Sequence, residues 1–124
     1  MKCVISGSFR KFYAQVVELI NEFDQLGIEV LSPAKSEIAN PGEEFVILKS
    51  DDIKSVKDLE QKHLDAIQKA DFLYVCDPGG YIGRSVSMEI GYAHALGRPI
   101  YALEKPEDAM LAEFVETKRP SDLQ

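Results

Sequence analysis

Residues 71–99 read DFLYVCDPGGYIGRSVSMEIGYAHALGRP, and this stretch decides the fold. Asp71 to Asp77 is a continuous apolar run, the pattern of a strand buried on both faces of a parallel sheet. Pro78, Gly79, Gly80 and Gly83 follow, residue types that permit tight turning and close backbone approach to a ligand. The chain then takes helical spacing and stops at Gly97, a good residue for a helix C-terminus. At about 100° per residue, Glu89 falls on the arc that carries Ser85, Val86, Tyr92, Ala93 and Leu96. A carboxylate on an apolar arc is costly unless a partner or a reaction occupies it.

Working outward, the same alternation repeats. Lys2 to Ser6 reads as a strand, followed by a helix with Tyr13, Val16, Val17, Ile20, Phe23 and Leu26 at helical spacing and Gly27 as its stop. Ile28 to Ser32 is the second strand, and a helix is expected over Val56–Ala70 before the apolar run. Beyond Gly97, a strand over Pro99–Glu104 and a helix over about Glu107–Glu116 lead to a polar tail, Thr117–Gln124. Ala34–Ser55 is the least regular part and reads as a long loop with a short edge strand at Phe45–Leu48. Strands alternating with helices predict a single α/β domain over 1–116, a doubly wound parallel sheet of about five strands flanked by helices. Ligands of such sheets bind beyond the carboxyl ends of the strands, at a switch point. Both Ser6–Arg10 and Asp77–Ser87 fall at that edge and are expected to line one pocket.

At 124 residues the chain is long enough to close a hydrophobic core without staples. Its net charge of −7, with basic residues scattered among acidic ones, argues against a nucleic-acid polymer as partner. A free nucleoside or nucleotide stays open, since a small pocket needs only local donors. Cys3 and Cys76 lie within expected strands and make no disulfide framework, so reduced thiols in a cytoplasm are the simple expectation. The chain opens directly on strand residues, so no signal peptide is expected, and no apolar run approaches the ~20 residues of a membrane helix.

Gly7-Ser8-Phe9-Arg10 offers backbone N–H groups, a hydroxyl and a guanidinium near a helix start, a set suited to a phosphate or carboxylate. A plain β-to-α turn fits the same residues. Glu89 has two readings: a carboxylate nucleophile attacking an anomeric carbon, or a structural carboxylate that accepts hydrogen bonds from the glycine loop. His63 shares a helical stripe with Val56, Leu59, Ile67 and Ala70 and faces inward. It is either a satisfied core residue or an acid–base group of the pocket. His94 is the other histidine and the cysteines lack ligand spacing, so neither a metal nor a cofactor is expected. Tyr81, flanked by glycines, is the better candidate for stacking on a ligand, with Tyr13 and Cys76 read as core. Ser85 and Ser87 either cap the helix or bind ligand.

Taken together, Gly7-Ser-Phe-Arg10, the Ile67–Asp71 segment, and Ser87-Met-Glu-Ile-Gly-Tyr-Ala93 with Ala95-Leu-Gly-Arg-Pro99 resemble the nucleoside 2-deoxyribosyltransferase-like superfamily. The resemblance covers most of the chain except Ala34–Ser55. It implies a flavodoxin-like (Rossmann-like) sheet. It also implies an enzyme that exchanges bases on 2-deoxyribose or hydrolyses the N-glycosidic bond of a nucleoside 5′-monophosphate. The alternative is a non-catalytic nucleotide-binding module on the same fold. In the family a glutamate at the position of Glu89 attacks C1′, and the first loop helps hold the 5′ end. On that basis Ser6, Gly7, Ser8, Phe9 and Arg10 are expected to bind substrate from the first loop. Asp77, Gly79, Gly80, Tyr81, Ser85 and Ser87 are expected to do so from the second. A homodimer or higher homo-oligomer is implied as well. Two departures stand out: the family's catalytic aspartate falls at His63, with Asp65 two residues away, and a polar position of the glycine loop falls at Gly83. His63 is therefore expected to stand in for the missing acid. Pro78-Gly-Gly with a downstream glutamate is also similar, at longer spacing, to the PGG…E loop of lysine-decarboxylase-like phosphoribohydrolases.

Overall fold

The computed structural model describes residues 1–34 and 55–124. The expected edge strand at Phe45–Leu48 lies outside the described residues. Nine elements run in the order β1 (Lys2–Gly7), α1 (Phe9–Gln25), β2 (Glu29–Ser32), α2 (Val56–Lys69), β3 (Phe72–Cys76), α3 (Arg84–Ala95), β4 (Ile100–Ala102), α4 (Ala109–Phe114) and β5 (Glu116–Thr117). The five strands form one parallel sheet in the order β2-β1-β3-β4-β5. That order is the doubly wound, flavodoxin-like arrangement, with its switch point between β1 and β3.

Side-chain alternation along the strands builds the two layers. Cys3 and Ile5 of β1 and Phe72, Tyr74 and Cys76 of β3 point to one face, where Val16, Leu19, Ile20 and Phe23 of α1 cover them. Val4, Leu73 and Val75 point to the other, against Ile67 of α2, Val86, Ile90 and Ala93 of α3 and Leu111 of α4. All five residues of β3 are buried, as the apolar run predicts. Ser6 continues the Val4 row by period two, which aims its hydroxyl at the α2–α3 side rather than at α1.

The chain end departs from the expected free tail. Glu116 and Thr117 pair with β4, and the last residues turn back over the α1 face, where Leu123 is buried in the same cluster as Phe23 and Tyr74. The Tyr74 hydroxyl donates to the Lys118 carbonyl at 2.7 Å, and Lys118 N–H donates to the Ala102 carbonyl. Residues 117–124 therefore pack with the domain. Composition hid this because the anchors are Pro120, Leu123 and backbone groups, while the other side chains of the segment are polar.

No helix among the described residues is long and apolar enough to cross a membrane.

Candidate active site

The carboxyl ends of β1 and β2 and the starts of α1 and α3 enclose a cavity of about 800 Å³. One wall is the first turn of α1, where Ser8 caps the helix by accepting from Lys11 N–H. Gly7 precedes it, beside Cys76 of β3 in the sheet, and a Cβ there would sit 3.0 Å from the Cys76 Cβ, a tight approach that favours glycine. Gly7, Ser8, Phe9 and Arg10 of the first loop line the cavity. The opposite wall is α2, and α3 closes the base.

At the bottom lies Glu89, 5% exposed. Its Oε1 is 3.4 Å from His63 Nε2, which is also 3.4 Å from the Ser6 hydroxyl. His63 Nδ1 is 2.7 Å from the Ser32 hydroxyl at the end of β2. The imidazole is thus fixed at both nitrogens, by β2 on one side and by the Glu89–Ser6 pair on the other. This is a buried carboxylate with an oriented imidazole, not a histidine idling in the core.

Glu60, one helical turn before His63, is a second carboxyl in the cavity wall and was not singled out by the sequence reading. Its carboxyl and that of Glu89 act on each other's proton affinity across the cavity wall. Two carboxyl groups in contact cannot both ionise, so one holds a proton for the pair. Burial works to raise the Glu89 carboxyl, but the hydrogen bond and charge of His63, with hydrogen bonds from Glu60 and Ser6, outweigh it and leave Glu89 below its usual range. Burial, the Glu89 hydrogen bond and the Glu89 charge push Glu60 up to about 9. Glu89 is therefore the anion near neutral pH and Glu60 the acid. Glu60 shares the inner stripe of α2 with His63 and Ile67, and this spacing could have revealed it. Ser32 gave only the weaker signal of ending a strand at the ligand edge.

Basic side chains ring the cavity mouth: Arg10 from α1, Lys62 and Lys69 from α2, and Arg84 at the start of α3. The α3 N-terminus begins at Gly83 with no side-chain cap among the described residues, which leaves its first N–H groups as candidates for a ligand, and Ser85 lines the cavity beside it. Tyr81 stands at the rim, 37% exposed, with Lys11 Nζ 4.0 Å above its ring and the Phe12 ring edge-on at 6.0 Å. Asp65 also lines the cavity but is exposed and accepts the Gln61 amide at 2.9 Å.

Five of the expected binding residues stand outside the cavity wall. Asp77 is fully buried, and its Oδ1 accepts the Glu104 N–H at 2.9 Å. Gly79 N–H donates to the Glu104 carboxylate, and Gly80 holds the Glu107 N–H through its carbonyl. The Pro78–Gly80 turn thus braces the β4–α4 loop and is not part of the cavity wall. Ser87 turns its hydroxyl to the Gly83 carbonyl at 2.9 Å, tightening the first turn of α3. Ser6 lies behind the wall and reaches the cavity through His63 and Glu89. Among the described residues no cluster of three or more His, Cys, Asp or Glu is placed to hold a metal ion.

Fold and site together define a flavodoxin-like α/β domain with a buried carboxylate–imidazole centre at its switch point. No family model and no curated protein matches the sequence. Solved structures do share the fold. A 2-deoxyribosyltransferase from Bacillus psychrosaccharolyticus matches with a TM-score of 0.66 at 15% identity, over 99% of this chain and 90% of that one. A CMP N-glycosidase from Clostridium botulinum matches at 0.56 and 17% identity, over 82% and 70%. A conserved protein from Enterococcus faecalis V583 matches at 0.55 and 25% identity, over 82% and 62%. The fold expected from the resemblance to the nucleoside 2-deoxyribosyltransferase-like superfamily is the fold found.

Proposed function

We propose that this protein cleaves or transfers the N-glycosidic bond of a nucleoside or nucleoside 5′-monophosphate, with Glu89 as nucleophile. The observation that carries the reading is Glu89 itself: a buried carboxylate at the base of an open cavity, held ionised by His63. Carboxylates so placed capture anomeric carbons. Glu89 attacks C1′, the C1′–N bond breaks, and a glycosyl ester forms while the base leaves. Water or an acceptor base then attacks C1′ and restores the carboxylate. The enclosed floor keeps stray water from the ester.

His63, expected from the sequence to be the acid, is assigned here to orientation, since its Nε2 is directed at the nucleophile. Gly7, Ser8 and Arg10, with Arg84 and the uncapped α3 N-terminus, are assigned to the 5′ end. Tyr81 is assigned to the rim, against the base or sugar. The neighbours' titles, an N-glycosidase and a deoxyribosyltransferase, support the same chemistry. A cytoplasmic setting, with Cys3 and Cys76 as thiols, belongs to this reading. So does a homo-oligomer formed through the face where Val56 and Met88 stand exposed.

A non-catalytic nucleotide-binding module is the second reading, favoured by the histidine at the family's aspartate position. Chromatography of free base after incubation with nucleosides and their 5′-monophosphates decides between them. Release by wild type and none by Glu89→Gln supports catalysis. A ligand bound and recovered intact supports the module.

A further inference from the structure

Departure of a nucleobase needs a proton, and His63 is badly placed to give one. Its Nδ1 faces the Ser32 hydroxyl at 2.7 Å, and its Nε2 faces Glu89 and Ser6, both at 3.4 Å. A proton on either nitrogen is already engaged, on one side with the nucleophile. Asp65 is exposed at the surface and its Oδ1 accepts the Gln61 amide at 2.9 Å. Glu60 differs from both. It lines the cavity beside Glu89, and its Oε2 is enclosed with no hydrogen-bond donor among the described residues. An enclosed carboxyl oxygen without a donor, beside an anion, is where a carboxylic acid belongs.

We infer that Glu60 is the acid–base residue of this site, giving its proton to the departing base and taking one back from the attacking water or acceptor. The inference rests on the reading of Glu89 as nucleophile. In the first step the C1′–N bond breaks, its electron pair goes to the base nitrogen, and the Glu60 proton follows onto the base. The C1′–O bond to Glu89 forms at the same time. In the second step water attacks C1′, its proton goes to Glu60, and the ester bond breaks to restore the Glu89 carboxylate. Atoms and charge balance with no other reactant.

The contact between the two carboxyls also times the transfer. While Glu89 is an anion, its charge holds the proton on Glu60. As Glu89 becomes an ester that charge disappears, and Glu60 becomes a stronger acid just as the base needs its proton. The charged groups around Glu60 are His63 on its own helix and Glu89 from α3, with Arg10, Arg84, Lys62 and Lys69 lining the same cavity. Burial and the Glu89 charge oppose release of the Glu60 proton, and the second of these is lifted when the ester forms.

The test compares wild type, Glu60→Gln and Glu89→Gln on two kinds of substrate. One is the nucleoside and 5′-monophosphate panel. The other is the 4-nitrophenyl riboside and 2-deoxyriboside, with and without a 5′-phosphate, whose nitrophenolate leaves without a proton. Glu60→Gln should slow base release by about 10²–10⁴-fold, the range of general acid catalysis, while nitrophenolate release drops only several-fold. The alkaline decline of wild-type base release should vanish in the variant. Infrared spectra of the unliganded proteins at neutral pH should contain a protonated-carboxyl stretch in wild type that Glu60→Gln lacks. An equal loss on both substrates, no loss on either, or no such band in wild type overturns the assignment. If Glu89→Gln keeps its activity, the nucleophile reading fails instead, and if no substrate releases base, both fail together.

Discussion

Glu89 Oε1 and His63 Nε2 lie 3.4 Å apart at the floor of the cavity, and this contact joins α2 to α3 at the point where β1 ends. It explains how a carboxylate on an apolar helical arc is tolerated. His63 supplies charge and a hydrogen bond, Ser6 adds a hydroxyl from the sheet, and Glu60 adds a proton from the next turn of α2. A buried carboxylate kept ionised and held in place is the result.

His63→Ala removes the largest influence holding Glu89 ionised. Misplacing a nucleophile by an ångström costs about 10²-fold, so kcat/KM for base release should fall by that order. The acid limb of its pH profile should also move to higher pH, because the Glu89 carboxyl rises once His63 is gone. Loss of activity at every pH without movement of that limb would mean general disruption instead.

Asp77 offers a prediction on stability away from the cavity. Burial raises its carboxyl from 3.8 to about 6, opposed by the Glu104 N–H and reinforced by the Glu104 charge. Its folded value exceeds its unfolded one, so the native state binds more protons between pH 4 and 6, and stability from this group is lost as pH rises through that window. Asp77→Asn keeps an acceptor for the Glu104 N–H and removes the buried charge. Denaturant unfolding at pH 7.5 should find the variant more stable by about 1–3 kcal/mol, with the gain vanishing below pH 4.

Gly80 sits at φ +82°, and a Cβ there would approach the Lys105 carbonyl to 2.7 Å and the Glu107 N–H to 2.9 Å. Both obstacles are backbone. Gly80→Ala should cost about 2–4 kcal/mol in thermal or chemical unfolding, from left-handed strain plus overpacking.

Truncation after Glu116 tests the docked chain end. It removes the buried Leu123 and the carbonyl that receives the Tyr74 hydroxyl. A loss of about 3–5 kcal/mol is expected, the sum of a leucine's burial and a stranded hydroxyl. An unchanged unfolding midpoint would return these residues to the status of a free tail.

The frame of the fold is legible in the sequence where one chemical signal dominates. Phe72–Cys76 is apolar at every position because both its faces are covered, and Gly27 and Gly97, at φ +76° and +72°, mark their helix ends. β5 was not legible, because Glu116 and Thr117 are both exposed and join the sheet through backbone bonds alone. Glu89, His63 and the Gly7–Arg10 loop came forward because a polar group on an apolar face, or a glycine beside a serine, violates the local pattern. The Asp77–Gly80 loop drew the same attention for a structural reason, since its glycines serve a turn packed on the β4–α4 loop. Glu60 escaped because a glutamate on a helix is ordinarily solvated, and its raised proton affinity comes from tertiary burial first and from Glu89 second.

The central claim is covalent capture by Glu89, and mass spectrometry tests it most directly. Wild-type protein incubated with 2′-deoxy-2′-fluoro nucleosides and their 5′-monophosphates, whose glycosyl esters hydrolyse slowly, should gain the mass of one glycosyl group. Peptide mapping should locate it on Glu89, and Glu89→Gln should gain nothing. Base release without an adduct, or an adduct on any other residue, would contradict the account.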